Sequence, residues 1–258
     1  MIRTDIVSLN RKQSIRYLRD ILQGILDPAV IRRITATLMR DDGIHERTQL
    51  ERRWYDTYDF SIYSEDQYLI EAWYCWHYYS RKYIQAITKP NAVQQQSVRD
   101  LLSDTATIVD LGNGLGLTTG ALANLFPNGK IIGTNVKPST QYTIAERLAN
   151  IYNYTMTDDL ETITGPVELI FASEYFEHHT HPIDHLNDII NVLQPRYLLL
   201  ANAFTADAIG HFNTYTINGE ETEDRVTNRL FSQNLRKHGY NPIPTTFWNN
   251  RPALWERR

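Results

Sequence analysis

Two groups of residues have types and spacings that suit chemistry. Asp110, Gly112, Asn113, Gly114 and Gly116 close the run Thr107-Ile108-Val109-Asp110-Leu111-Gly112-Asn113-Gly114-Leu115-Gly116, where three glycines stand at alternate positions. Glycines so spaced let a backbone approach a ligand closely and adopt positive φ. Further along, Glu174, Glu177, His178, His179, His181 and His185 collect carboxylates and imidazoles in one short stretch. A carboxylate or neutral imidazole there can take a proton from a hydroxyl or ammonium group. Those donor types also suit a divalent ion, and His181 and His185 would share a helix face. Pro182 marks the helix start, however, which leaves His181 at the cap, so a solvated polar loop is the stronger reading and no metal is expected.

The elements that must position these residues alternate strictly. Strand 107–111 is followed by helix 117–126, strand 130–135 by helix 139–151, and strand 153–157 by an acidic loop; strand 167–172 precedes helix 182–193, and strand 196–201 precedes helix 223–238. Such alternation predicts a doubly wound, mostly parallel sheet with helices on both faces. Segments 243–248 and 252–257, around Asn249-Asn250, complete seven strands as a closing antiparallel pair. Ligands of open α/β sheets sit at the carboxyl ends of the strands, so strand-end residues should converge. A dinucleotide fingerprint would require its third glycine where Leu117 stands.

Asp-x-Gly-x-Gly-x-Gly at positions 110 to 116 resembles motif I of the class I S-adenosyl-L-methionine (SAM) dependent methyltransferases. The stretch from Val167 to His178 is similar to the strand and Glu-His segment of small-molecule methyltransferases related to the ubiquinone-biosynthesis enzymes, although Arg196-Tyr197 replace two glycines usual in that group. The resemblance covers roughly residues 91–258 and implies a Rossmann-like fold and bound SAM. It assigns Asp110 and Gly112 to Gly116 to the methionine part and Asn135 to the ribose, and it counts Val136 among the cofactor-binding residues. Asp or Glu is usual at the position of Asn135; an amide can accept one bond and donate another, without charge assistance. Asp158, or alternatively Asp159, would meet the adenine amino group. Ser173 and Glu174 would face the reactive methyl. His178 and Glu174 are the candidate catalytic residues, against a role of the Glu-His pair in packing and capping.

Residues 1–90 read as a helical cap preceding a methyltransferase domain at 91–258. Helices 9–23 and 28–40 are amphipathic, and a charged stretch follows at 44–53. Ser64 opens a helix running to Ile87 that carries Tyr68, Trp73, Tyr74, Trp76, His77, Tyr78, Tyr79 and Tyr83. These rings either wedge between cap and body or line an acceptor pocket. A further helix is expected at 91–103. The insertion 204–223 is expected to cover the acceptor side or to form a surface excursion turning at Asn218-Gly219. Trp248 and Arg251 carry no assigned role.

The 258 residues are 42% hydrophobic with a net charge of −4, and mean hydropathy is −0.44. No apolar run approaches the roughly 20 residues of a membrane span. Residues 1–53 hold 11 Lys and Arg against 7 Asp and Glu, too slight an excess to argue for nucleic acid. With one cysteine, Cys75, and no signal-peptide pattern, a cytoplasmic protein is expected. Ser173-Glu174-Tyr175-Phe176 lacks the Asn/Asp-Pro-Pro-aromatic corner of amino-methylating DNA enzymes, and Cys75 is remote from where cytosine C5 chemistry needs its nucleophile. A small-molecule acceptor is favoured, with RNA or protein left open. An aminopropyl transferase and a non-catalytic scaffold on the same fold are the rival readings.

Overall fold

The computed structural model describes residues 3–40, 51–90, 96–245, 247 and 251–258. Helices α1 (Arg11–Leu22) and α2 (Pro28–Arg40) come first, followed by a helical stretch α3 at residues 51–57. Next, α4 (Glu65–Tyr74) runs through a π-helical segment, Cys75–Ser80, into α5 (Arg81–Ile87). The Ser64 N–H is capped by Gln67 Oε1 at 3.0 Å, as the capping-box pattern predicts. Of the helix expected at 91–103, the described part is one turn, α6 (Val98–Leu101); residues 91–95 lie outside the described residues.

Then come β1 (Thr107–Leu111), α7 (Leu117–Leu125), β2 (Lys130–Thr134), α8 (Thr140–Tyr152), β3 (Thr155–Thr157), β4 (Leu169–Ser173), α9 (Pro182–Leu193) and β5 (Tyr197–Ala201). A hairpin of β6 (Thr214–Ile217) and β7 (Glu220–Glu223), helix α10 (Asp224–Lys237), β8 (Tyr240–Ile243) and β9 (Ala253–Arg257) finish the chain. The main sheet has the order β3-β2-β1-β4-β5-β9-β8. Only β9 runs against the others, pairing antiparallel with both β5 and β8. Chain order reverses between β1 and β4, which is where a ligand crevice forms in such sheets.

Strand alternation distributes the core. Ile108, Leu169, Phe171 and Leu199 point to one face, where α7, α8 and all the N-terminal helices except α3 join a continuous apolar cluster. Val109, Leu111, Ile170 and Leu198 point to the other, under α9 and α10. Because both faces are covered, the strands read as unbroken apolar runs.

Two sequence expectations need correction. The strand expected at 243–248 lies earlier, at Tyr240–Ile243, directly after Gly239 ends α10 with φ +83°. Pro242 lies within it, and because β8 is an edge strand its missing N–H is tolerated. The insertion 204–223 is also no mere surface excursion. Asn218 (φ +53°) and Gly219 (φ +82°) form the expected turn, yet it joins a two-stranded hairpin whose Tyr215 and Ile217 are buried under the second face. The Asn249-Asn250 turn and Trp248 lie outside the described residues.

Candidate active site

At the carboxyl ends of β1 and β4 opens a cavity of about 700 Å³. One end is walled by the glycine loop and the ends of β2 and β3, the other by the turn after β4 and by the α4 helix with its π-helical continuation. A π-helical turn inside an α-helix is a recurrent feature of functional sites. The rings of the aromatic helix divide between cavity and packing. Tyr68 and Trp76 line the cavity, whereas Trp73, Tyr74 and Tyr83 are buried in packing.

At the glycine-loop end nearly every polar group is engaged. Gly112 N–H donates to Thr134 Oγ1 (3.1 Å), and Asn113 N–H to the Thr134 carbonyl (2.9 Å), which pins the loop to β2. Asp110 is buried; its Oδ2 accepts the Thr119 hydroxyl at 2.7 Å, and burial pushes its carboxyl up to about 7. The three glycines have different duties. Gly114 (φ +54°) faces space, with Ala72 Cβ the nearest atom to an added Cβ at 4.0 Å. A Cβ on Gly112 would overlap the Tyr175 ring. One on Gly116 (φ +81°) would overlap the Tyr154 hydroxyl and lie 2.9 Å from Ala145 Cα. Gly116 thus serves the approach of α7 to α8, and it is not on the cavity wall.

Asn135 donates through Nδ2 to the Gly114 carbonyl (2.9 Å) and Asn113 Oδ1 (3.3 Å), and its Oδ1 accepts the Val136 N–H (2.8 Å). Val136 is exposed on the cavity rim, and Lys137 lies over the Tyr142 ring at 5.0 Å. The two aspartates separate cleanly. Asp158 lines the cavity, while Asp159 caps the short helical turn Leu160–Thr162 by accepting Glu161 N–H at 2.9 Å.

At the other end, Ser173 Oγ meets Ser80 Oγ at 2.9 Å, tying β4 to the π-helical segment. Glu174 takes the left-handed conformation (φ +52°), unusual for a residue with a Cβ and concentrated at functional sites. Its Oε1 accepts the Tyr83 hydroxyl (3.2 Å) and the Arg251 guanidinium. Burial raises the Glu174 carboxyl despite that cation. Behind it, Glu177 is fully buried; its Oε1 accepts Ala203 N–H (2.7 Å), and its Oε2 has no partner among the described residues. Burial, reinforced by the Glu174 charge, pushes Glu177 up to about 8.

Histidines complete this end. His178 lines the cavity and meets the His211 ring edge-to-face at 4.9 Å; burial, then His211 and His179, hold it down to about 3. His179 and His185 stack at 4.0 Å, and the Tyr175 hydroxyl lies 2.7 Å from His185 Nε2. His181 stands apart as the exposed N-cap of α9, bonded to Thr180, so the His181 and His185 pair forms no joint site. The structure gathers a different donor set. One ligand atom each from Glu174, Glu177 and His211 lie within 4.8 Å of one another. His211 Nδ1 is 2.8 Å from the Ala206 carbonyl, which makes Nδ1 the protonated nitrogen.

No family model and no curated protein matches this sequence. Solved structures do resemble it. Mitomycin 7-O-methyltransferase MmcR, at 12% identity, superposes over 98% of this chain and 74% of its own with a TM-score of 0.50. A SAM dependent methyltransferase from Aquifex aeolicus (17% identity, 61% of this chain and 82% of its own) has a TM-score of 0.42. The small RNA methyltransferase HEN1 (14% identity, 60% of this chain) has a TM-score of 0.46, and this chain spans 23% of its length.

The fold is that of the class I SAM-dependent methyltransferases. The residues present suit the cofactor of that superfamily. Gly114 leaves space that a side chain would fill, and among the described lining residues Glu71 and Asp158 stand with Lys137 while Glu174 is paired with Arg251, a lining that can accept a sulfonium and an ammonium group. The fold also brings to the Glu174 end residues to which the sequence reading gave no specific role, namely Ser80, Tyr83, His211 and Arg251. Ser80 and Tyr83 sit in an aromatic run that signals packing, and Arg251 reaches Glu174 across 77 positions of sequence, so no local pattern marks them. Among the described residues, no helix is long and apolar enough to cross a membrane.

Proposed function

We propose that this protein is a SAM-dependent methyltransferase acting on a small-molecule acceptor. The carrying observation is that a single cavity joins a glycine loop able to admit a ligand to a far end holding Glu174 and aromatic walls such as Tyr68 and Trp76. Gly112 to Leu115 would hold the methionine part, and Asp158 and Val136 the nucleoside. Bound SAM supplies an electrophilic methyl on a sulfur that is already a good leaving group. What remains for the chain is to align the acceptor, exclude water and remove a proton. Glu174, steadied by Tyr83 and Arg251, is the proton acceptor in this reading, and His178, uncharged at neutral pH, is the second candidate.

Calorimetry with SAM and S-adenosylhomocysteine, on wild type and Gly114→Arg, tests the proposal. Micromolar binding that the substitution abolishes supports it. No binding to wild type at millimolar ligand overturns it and favours a scaffold.

The Glu174, Glu177 and His211 donor set, with Glu177 Oε2 unpartnered, favours a metal-assisted form of the same reading. A divalent ion held there would act as a Lewis acid toward an acceptor hydroxyl. Glu177 would have to lose its proton, so affinity for Mn²⁺ should rise as pH passes about 8. Calorimetric titration of Mn²⁺ without SAM checks this. Binding lost in Glu177→Gln is expected, and no Mn²⁺ binding at pH 8.5 returns the pair to a purely protonic role.

A further inference from the structure

Asn135 stands where the resembled family carries an acidic residue for the ribose hydroxyls, yet its own bonds point elsewhere. Both protons of its amide are directed at the glycine loop, to the Gly114 carbonyl (2.9 Å) and Asn113 Oδ1 (3.3 Å). The direction of these bonds follows from the far end of a chain of donors. Asp110 accepts from the Thr119 hydroxyl (2.7 Å), which leaves Thr119 Oγ1 to accept from Asn113 Nδ2 (2.9 Å). With its nitrogen so committed, Asn113 presents its oxygen to Asn135, and Asn135 must answer with its amide nitrogen. The remaining oxygen of Asn135 takes the Val136 N–H (2.8 Å). Asn135, Asn113 and Thr119 therefore each donate toward β1, and the series ends on the buried carboxyl of Asp110, which accepts.

We infer that Asn135 is a positioning residue, a latch that holds the glycine loop to the end of β2, and that the acid usual in this position would harm this chain. A carboxylate has no proton to offer. It would set a negative charge against the Gly114 carbonyl and Asn113 Oδ1, and Asn113 cannot turn to meet it without breaking its bond to Thr119. Lys137 gives no compensation, since its ammonium lies over the Tyr142 ring. The latch explains why the departure from the family pattern is an amide and not a small or apolar residue. Its ligand is the one proposed above, so the inference rests on that reading for the identity of what binds and on the hydrogen bonds alone for the latch.

A ribose acceptor and a latch predict opposite orders for two variants. S-adenosylhomocysteine is titrated calorimetrically into wild type, Asn135→Ala and Asn135→Asp, and hydrogen exchange of the amides from Gly112 to Gly116 is followed in the three ligand-free proteins. The latch predicts affinity in the order wild type, Ala, Asp, with losses of about tenfold and about a hundredfold, and faster loop exchange in both variants. An Asp variant that binds at least as tightly as the Ala variant, or unaltered loop exchange in folded variants, overturns it. If the Asp variant does not fold, the Ala variant decides: tenfold weaker binding with faster exchange supports the latch, and unaltered exchange overturns it. A wild type that binds no ligand but whose variants still exchange faster overturns the cofactor reading and leaves the latch standing.

Discussion

The two ends of the cavity are built on opposite principles. At the glycine-loop end, Asp110, Asn113, Thr119 and Asn135 satisfy one another through an ordered series of hydrogen bonds. At the far end, Glu177 Oε2 and Arg251 Nε are buried without partners among the described residues, and Glu174 occupies a left-handed conformation. An unpaired buried polar atom costs about 1–3 kcal/mol, so the far end is the less stable half. The loop end thus has its hydrogen bonds completed within the protein, whereas the far end leaves buried polar atoms without partners among the described residues.

The largest effect that would test this contrast lies within the loop itself. Gly116→Ala must displace Tyr154 and the α8 backbone at Ala145, so a loss of about 3 kcal/mol or more in stability is expected from chemical denaturation. Gly114→Ala, whose added atom meets only Ala72 at 4.0 Å, should lose about 1 kcal/mol from backbone strain alone. Equal losses would mean that both glycines serve packing, and the distinction between them would fall.

An intermediate effect belongs to the far end and depends on pH. Burial raises the folded-state carboxyl of Glu177 from 4.5 to about 8, so the folded protein binds its proton more tightly than the unfolded chain. Its contribution to stability is therefore full at low pH and is lost as pH rises through about 8. His178 works in the opposite sense, lowered from 6.5 to about 3, so its effect builds between those values and levels off once pH has passed 6.5. Between pH 6.5 and 8 the wild type should lose about 1–2 kcal/mol. Asp110, raised from 3.8 to about 7, adds to the early part of that decline. Glu177→Gln, which keeps an acceptor for the Ala203 N–H, should flatten most of it in thermal unfolding profiles. A variant curve parallel to wild type would assign the decline to the loop end instead.

The smallest effect separates the two aspartates. Asp159→Ala removes the cap of the turn at Leu160–Thr162 and should cost about 1 kcal/mol of stability without altering S-adenosylhomocysteine affinity. Asp158→Ala should do the reverse, weakening binding about tenfold at unchanged stability. Exchanged phenotypes would reverse their assignment.

Much of this architecture was legible in the chain. β1, the capping box at Ser64 and α9 fall where the patterns put them, because their signals are local: β-branched runs, a Ser-x-x-Gln cap, a proline at a helix start. The loop-end residues were legible for a related reason, since each terminates a strand that periodicity identifies. At the far end the sequence grouped Glu174, Glu177 and His178, which the structure keeps together, whereas His181 stands apart at the α9 cap and the histidine set beside the two glutamates is His211. His211 comes from the insertion and Arg251 from the segment before β9, and neither has neighbours in sequence that announce it.

The residue pattern by itself determined the doubly wound sheet, the strand-end convergence and the position of the glycine loop, since backbone preferences and burial period act over a few residues at a time. Only the tertiary structure decided which glycine faces the cavity, which aspartate is a cap, and that Asn135 turns to the loop. Those outcomes depend on what lies opposite each side chain. Proximity between distant segments arises from sheet order and helix packing, which no local spacing records.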